Sequence, residues 1–313
     1  MNRNFFRVVT MIAAALLAGC AAAPPATCPL QIAADFPVTF LDGRQAIVTI
    51  HISGQDFKLL VDSGSDDSYL TTAAYERLNN DVPGEARISG YSTGMGGTVQ
   101  ENFAFIHDVT FGNTRLRGQV FLVNDYIVPT EHGVQPADGI LDNDILHQFN
   151  VAYDFPGHRI TLYYLQNCTS GLTPWAGDYD AEPITENHRT LTQTLPYSID
   201  GQTFAVGLDT GASISLIKRS ALESHHVMAE ADPSGASMRL VGAGEHPFTV
   251  SREQFHDIGI GAESFGDSWL AVTNSKEPSD SDGLIGDDYL LRHRVFIETD
   301  SETAYFGLTV PGS

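Results

Sequence analysis

Two short stretches of the chain have the composition of a carboxylate pair built for acid and base work. Asp62-Ser63-Gly64 and Asp209-Thr210-Gly211 each follow a short apolar run, Phe57 to Val61 and Phe204 to Leu208. In such a stretch the glycine permits a tight turn and the hydroxyl residue can hydrogen-bond inside the loop. The aspartate is then held at the loop tip between apolar walls. One such loop is weak evidence, because Asp-Ser-Gly occurs by chance in many turns. Two that meet face to face are different: carboxyls at close range cannot both ionise freely, so one keeps its proton while the other does not. Such a pair titrates as a unit and offers a general base and a general acid in one place.

The elements that must bring the two loops together are themselves duplicated. Ile52-Ser53-Gly54-Gln55-Asp56-Phe57 recurs as Ile199-Asp200-Gly201-Gln202-Thr203-Phe204, 147 positions later, and the same offset carries Asp62 onto Asp209. Asp138-Gly139-Ile140-Leu141 recurs as Asp282-Gly283-Leu284-Ile285 at an offset of 144. A period this long marks a duplicated domain and not a solenoid. Within each copy the signals are mostly those of strands. Val38 to Ile52 is rich in Val, Ile and Thr around an Asp42-Gly43 turn. Thr72 to Leu78 and Ser220 to Ser224 predict brief helices, the second with Ser220 and Glu223 as a capping box. Further short helices are expected after Gly139-Ile140-Leu141 and Gly283-Leu284-Ile285. The stretch Thr169 to Arg189 holds Pro174, Gly177, Pro183 and several acids and reads as a linker. The architecture expected is two small, mostly antiparallel β lobes, 34–168 and 190–313, joined head to tail. A pseudo-twofold axis between them would place equivalent residues, and so both aspartates, face to face.

Asp62-Ser63-Gly64-Ser65-Asp66-Asp67-Ser68-Tyr69-Leu70 resembles the active-site loop of retroviral proteases, Asp-Thr-Gly-Ala-Asp-Asp-Thr-Val-Leu. Asp209-Thr210-Gly211-Ala212-Ser213 is similar to the loop of bacterial retropepsin-like peptidases. Gly283-Leu284-Ile285-Gly286-Asp287-Asp288-Tyr289-Leu290 resembles the segment and helix that support it. The resemblance implies an all-β acid-protease fold, two retropepsin-like β-barrel lobes with a few short helices, arranged as in pepsins within one chain. It implies Asp62 and Asp209 as the catalytic pair, with Ser63, Gly64, Thr210 and Gly211 supporting the loops and the two hydroxyls bracing them. Asp66 and Asp67 match residues that hold substrate backbone. Tyr91 to Thr98, with Tyr91, Gly94, Gly96 and Gly97, falls where a flap hairpin lies. Two departures stand out. Lobe one has Asp142 where the family has glycine, which would crowd the loop of Asp62 or place a third acid near the pair. Lobe two has Ser213 where lobe one has Asp66. The activity implied is endopeptidase cleavage of a peptide or protein; the alternative is a peptide-binding module of the same fold with little or no turnover. A monomeric pseudo-dimer is expected, and further dimerisation is a third possibility.

Other chemistries find less support. Gly90-Tyr91-Ser92-Thr93-Gly94 matches the serine-hydrolase elbow pattern, but that elbow needs a helix after the serine and more glycines follow here. The eleven histidines show no His-Glu-x-x-His or similar ligand spacing, so neither metal nor cofactor is expected. A net charge of −22 disfavours nucleic acid as a partner.

The amino end carries a signal of its own. Arg3 and Arg7 precede the apolar run Val8 to Leu17, too short to span a bilayer. Leu17-Ala18-Gly19-Cys20 resembles the lipobox of bacterial lipoproteins. That likeness implies that residues 1–19 are removed, that Cys20 is acylated, and that 20–33 is a lipid-anchored linker. Ala21 then points towards the outer membrane, with the protein facing the periplasm. Cys28 and Cys168 bracket lobe one, where a disulfide would staple its ends by about 4–5 kcal/mol; two buried free thiols are the alternative.

Overall fold

The computed structural model describes residues 29–81, 87–94, 97–125, 137–165, 173–187, 191–240, 248–274 and 281–307. The side chains of 79–101 are outside this description, as are Cys20, Cys28 and Cys168, on which the lipid and disulfide expectations rest. No helix among the described residues is long and apolar enough to cross a membrane.

The chain is all-β, and its described residues form three sheets and four short helices. Each repeat curls its own sheet around an apolar interior. In lobe one the strands Gln45–Ile52 and Gln55–Val61 form an antiparallel hairpin, with Phe57 and Leu59 directed inward beside Phe111 and Phe121. Lobe two repeats it with Thr192–Ile199 and Gln202–Leu208, burying Phe204 and Phe255. Alternation of buried and exposed residues along these strands (Thr49 and His51 outward, Val48, Ile50 and Ile52 inward) is what one solvated and one packed face require. The Asp42-Gly43 turn falls where expected, and tight turns at Ser53-Gly54 and Asp200-Gly201 join the paired strands; all six residues have positive φ.

The lobes are fused by a third, six-stranded antiparallel sheet drawn from both. Its order is Ile32–Pro37, Arg159–Tyr164, Phe149–Asp154, Arg294–Glu298, Thr303–Gly307 and Tyr179–Pro183. The seam lies between Phe149–Asp154 of lobe one and Arg294–Glu298 of lobe two, with Val151 opposite Ile297 and Tyr153 opposite Val295. All four side chains are buried. Full burial of aliphatic side chains of this size stabilises by roughly 1.5–3 kcal/mol each, so the lobes are held as one body. One apolar core runs continuously through both.

Two local expectations need correcting. The stretch 169–189 does join the lobes, but among its described residues it also forms strands. Tyr179–Pro183 lies at the sheet edge, where a proline's missing N–H costs no ladder bond, and Thr185–Asn187 pairs with Thr192–Ile199. The capping box at Ser220 does not form. The helix α3 (Arg219–Ser224) follows directly on the strand Leu216–Lys218, so Lys218 takes the cap position and Ser220 lies inside the helix. The other three helices, α1 (Thr72–Asp81), α2 (Asn143–Leu146) and α4 (Asp287–Leu290), lie where the pattern puts them.

Candidate active site

Each aspartate is delivered by a strand locked in place from its C-terminal end. Gln55–Val61 runs parallel to Gly139–Leu141, and the amide of Asp62 donates to the Leu141 carbonyl at 2.9 Å. In lobe two Gln202–Leu208 runs parallel to Gly283–Ile285, and the amide of Asp209 donates to the Ile285 carbonyl, also at 2.9 Å. Within the loops, the amide of Gly64 donates to Asp62 Oδ1 at 2.9 Å. The amides of Gly211 and Ala212 both donate to Asp209 Oδ1 at 2.9 Å. One oxygen of each carboxyl is thereby pinned.

The two loops then brace each other. Thr210 Oγ1 accepts from the Ser63 amide at 3.0 Å and donates to the Val61 carbonyl at 2.9 Å. Ser63 Oγ accepts from the Thr210 amide at 3.2 Å and donates to the Leu208 carbonyl at 2.8 Å. Every bond crosses the lobe boundary, and each hydroxyl serves as donor and acceptor at once, which only serine or threonine can do in this space. Tyr153, from the central sheet, lies beside Ser63 in the lining of one small cavity.

This crossing puts the carboxyls of Asp62 and Asp209 in hydrogen-bond contact. The glycines are needed for that approach. A β-carbon on Gly64 would lie 2.6 Å from Asp209 Oδ1, and one on Gly211 would lie 2.6 Å from Asp62 Oδ1. Both carboxyls are largely enclosed and keep only partial exposure. Enclosure raises the pKa of each. For Asp62 the Gly64 amide and the bond from Asp209 pull in the other direction; for Asp209 the neighbouring charge of Asp62 pushes further up, to well above the usual carboxylate range. The pair therefore shares one proton, and its titration belongs to both carboxyls together.

The aspartyl protease family model matches the chain twice, over residues 48–145 and 195–289. The chain belongs to the aspartyl protease family. No curated protein sequence matches it significantly. The two matched segments are the two lobes of this retropepsin-like aspartyl protease, and each ends within the helix that supports its loop.

That support is a repeated serine–aspartate pair. Ser68 donates from its amide and hydroxyl to Asp144 Oδ1, at 3.1 and 2.5 Å, and its oxygen accepts from the amide of Asp142 at 3.0 Å. Ser215, Asp288 and Gly286 repeat the arrangement at 2.8, 2.6 and 3.0 Å. Ser68 and Asp288 lie within the motifs quoted above but carry no role there, and Ser215 and Asp144 lie outside them, although the recurrence of the pair between the copies was there to be seen. Burial carries the Asp144 carboxyl to about 7.

Asp142 is accommodated without displacing Asp62. In lobe two a β-carbon at Gly286 would sit 2.6 Å from the Ala212 carbonyl, which accepts from the amide of Asp287 at 2.8 Å. In lobe one the Asp142 carboxylate takes over that task, accepting from the amide of Asn143 at 2.7 Å as the cap of α2. The Ser65 side chain, where lobe two has Ala212, faces the same carboxyl. Asp142 is fully buried and close enough to Asp62 to feel its charge, and both effects raise its carboxyl well above the ordinary value. It is a third acid beside the pair.

Further contacts tie lobe one to the loop of Asp209. Gln45 Nε2 donates to the Gly211 carbonyl at 2.8 Å, and Arg44 Nη1 donates to the Ser213 carbonyl at 3.0 Å. Both follow the Asp42-Gly43 turn. No spacing rule points to them, since their partners are more than 160 residues away.

The remaining expected residues are spread around this centre. Asp66 and Asp67 follow the Asp62 loop, Asp66 half-buried and Asp67 exposed, with partial burial raising the Asp67 carboxyl. Tyr91, Gly94 and Gly97 lie on the hairpin of Arg87–Gly94 and Gly97–Ile106, with Tyr91 opposite Gln100 and Gly94 opposite Gly97. Gly96 is outside the described residues. Gly90 to Gly94 lies wholly in the first of these strands, so Ser92 is not on a strand-to-helix elbow.

Replacing Thr210 by Val keeps the shape but removes the acceptor of the Ser63 amide and the donor to Val61. Leaving that amide buried and unpaired costs about 1–3 kcal/mol, and the lost bond to Val61 about another 1. Urea denaturation of Thr210→Val should show a destabilisation of about 2–4 kcal/mol. A change below about 0.5 kcal/mol would mean that the brace is not holding the loops.

Proposed function

We propose that the chain is an aspartic endopeptidase in which Asp62 and Asp209 activate water against a peptide carbonyl. The observation that carries this reading is the contact of two largely enclosed carboxyls across a braced lobe boundary. Ionised Asp62 draws a proton from a water molecule as its oxygen attacks the scissile carbonyl carbon. Protonated Asp209 donates to the carbonyl oxygen, giving a tetrahedral diol. Collapse then breaks the C–N bond, with the proton on Asp62 passing to the departing nitrogen and one diol hydroxyl returning its proton to Asp209 as the new carboxyl C=O forms. Acid–base assistance of this kind contributes about 10²–10⁴-fold in rate. No covalent intermediate, metal or cofactor is required. Asp66, Asp67 and the hairpin carrying Tyr91, Gly94, Gly96 and Gly97 are assigned to holding the extended substrate, following the family resemblance.

We also propose, from the Leu17-Ala18-Gly19-Cys20 pattern, that lipid on Cys20 tethers the enzyme in the cell envelope, at the outer membrane facing the periplasm. Cys28 and Cys168 are assigned to a disulfide across lobe one.

Digestion of a broad peptide library between about pH 3 and 7, the span a carboxylate pair serves, tests the first proposal. Cleavage should follow a bell-shaped profile, failing at low pH as Asp62 takes up its proton and at high pH as the pair loses its last one. Asp62→Asn and Asp209→Asn should each fold and abolish it. Tight peptide binding by the wild type without turnover would assign a binding module instead. For the tether, Cys20→Ser should move the protein from the membrane fraction to the soluble one; an unchanged distribution would overturn it.

A further inference from the structure

Helix α4 opens with Asp287, whose side chain is fully buried and whose two carboxyl oxygens both lack a hydrogen-bond donor. An ionised carboxylate in that position would give up its hydration and gain nothing in return. The groups facing it favour neutrality on balance. Burial is the largest influence, Asp288 on the same helix and Asp62 from lobe one add to it, and only Arg44, from the Asp42-Gly43 turn, opposes it.

The repeat indicates what such a neutral acid is for. Asp287 is the counterpart of Asn143, at the offset of 144 that also relates Asp142 to Gly286 and Asp144 to Asp288. Asn143 opens α2, and its Nδ2 donates to the Ser63 carbonyl at 2.8 Å, steadying the loop of Asp62 from behind. The corresponding carbonyl in lobe two belongs to Thr210. An ionised aspartate has no proton to offer it; a carboxylic acid has one.

We propose that Asp287 is carried as the neutral acid and acts as a positioning residue, donating its proton to the Thr210 carbonyl as Asn143 donates its amide to Ser63. The loop of Asp209 is then braced by a proton distinct from the one shared by Asp62 and Asp209. That brace is lost when the proton leaves, and a new charge appears within reach of Asp62.

The consequence has a definite sign. The carboxyl of Asp287 is raised from the ordinary 3.8 to about 8. The folded chain thus keeps a proton that the unfolded chain releases. The stabilising contribution is complete below about pH 4 and is lost as pH rises through about 8, at up to tenfold in the folding equilibrium per pH unit. Asp287→Asn supplies the same donor without titrating.

The test compares chemical denaturation of the full chain from pH 5 to 7.5 in wild type, Asp287→Asn and Asp287→Ala. Asp287→Asn should lose less stability per pH unit than wild type, by close to tenfold in the equilibrium constant, and should be the more stable protein at pH 7.5. Asp287→Ala should be weaker than Asp287→Asn throughout. Parallel pH dependence in wild type and Asp287→Asn overturns the proposal, as does equal stability of the Asn and Ala variants. Should the alanine variant fail to fold, the first comparison decides alone. Folding is the readout, so the outcome does not depend on whether the enzyme turns over.

Discussion

Everything in this site depends on the reciprocal bonding of two hydroxyls across the lobe boundary. Ser63 and Thr210 each reach past the axis to the backbone of the other loop, accepting from one amide and donating to one carbonyl. That crossing leaves the two aspartates no separate place to go. It also explains the glycines: each lies where the opposite carboxyl would meet any side chain. The central sheet serves the same end, since its seam at Val151, Tyr153, Val295 and Ile297 fixes the separation and tilt of the loops above it. With the carboxyls forced together and away from water, a shared proton follows from electrostatics alone.

The lobes are alike in backbone and unlike in their acids. Lobe one caps α2 with the carboxylate of Asp142, where lobe two uses the Ala212 carbonyl against Gly286. Lobe one steadies its loop with the amide of Asn143, where lobe two has Asp287. Lobe one sends Arg44 and Gln45 across to the other loop. The result is a pseudo-symmetric scaffold with an asymmetric field. Both carboxyls are raised by enclosure, and the lobes surround them with different acids and donors.

How much of this the chain disclosed depended on whether the signal was local or repeated. The loops at Asp62 and Asp209 and the Gly-Ile-Leu and Gly-Leu-Ile strands were legible because each recurs between the copies, at offsets of 147 and 144. Asp142 stood out as a departure from the glycine that the family resemblance implies, although its capping role was hidden until its partner amide was visible. The Ser220–Glu223 signal misled because a strand runs straight into α3 and leaves no free cap position. Pro183 and its acidic neighbours read as linker because an edge strand tolerates them. Arg44 and Gln45 were illegible, since their bonds cross between lobes and depend on nothing in their own sequence neighbourhood.

The central claim is that Asp62 and Asp209 share one proton. Carboxyl-carbon NMR of aspartate-labelled protein, titrated with pH and assigned with the single asparagine variants, addresses it directly. The account predicts two coupled steps well apart, the upper one far above the ordinary carboxylate value of 3.8, and a single remaining step when either partner is asparagine. Two independent titrations near the ordinary value, unchanged by loss of the partner, would contradict it.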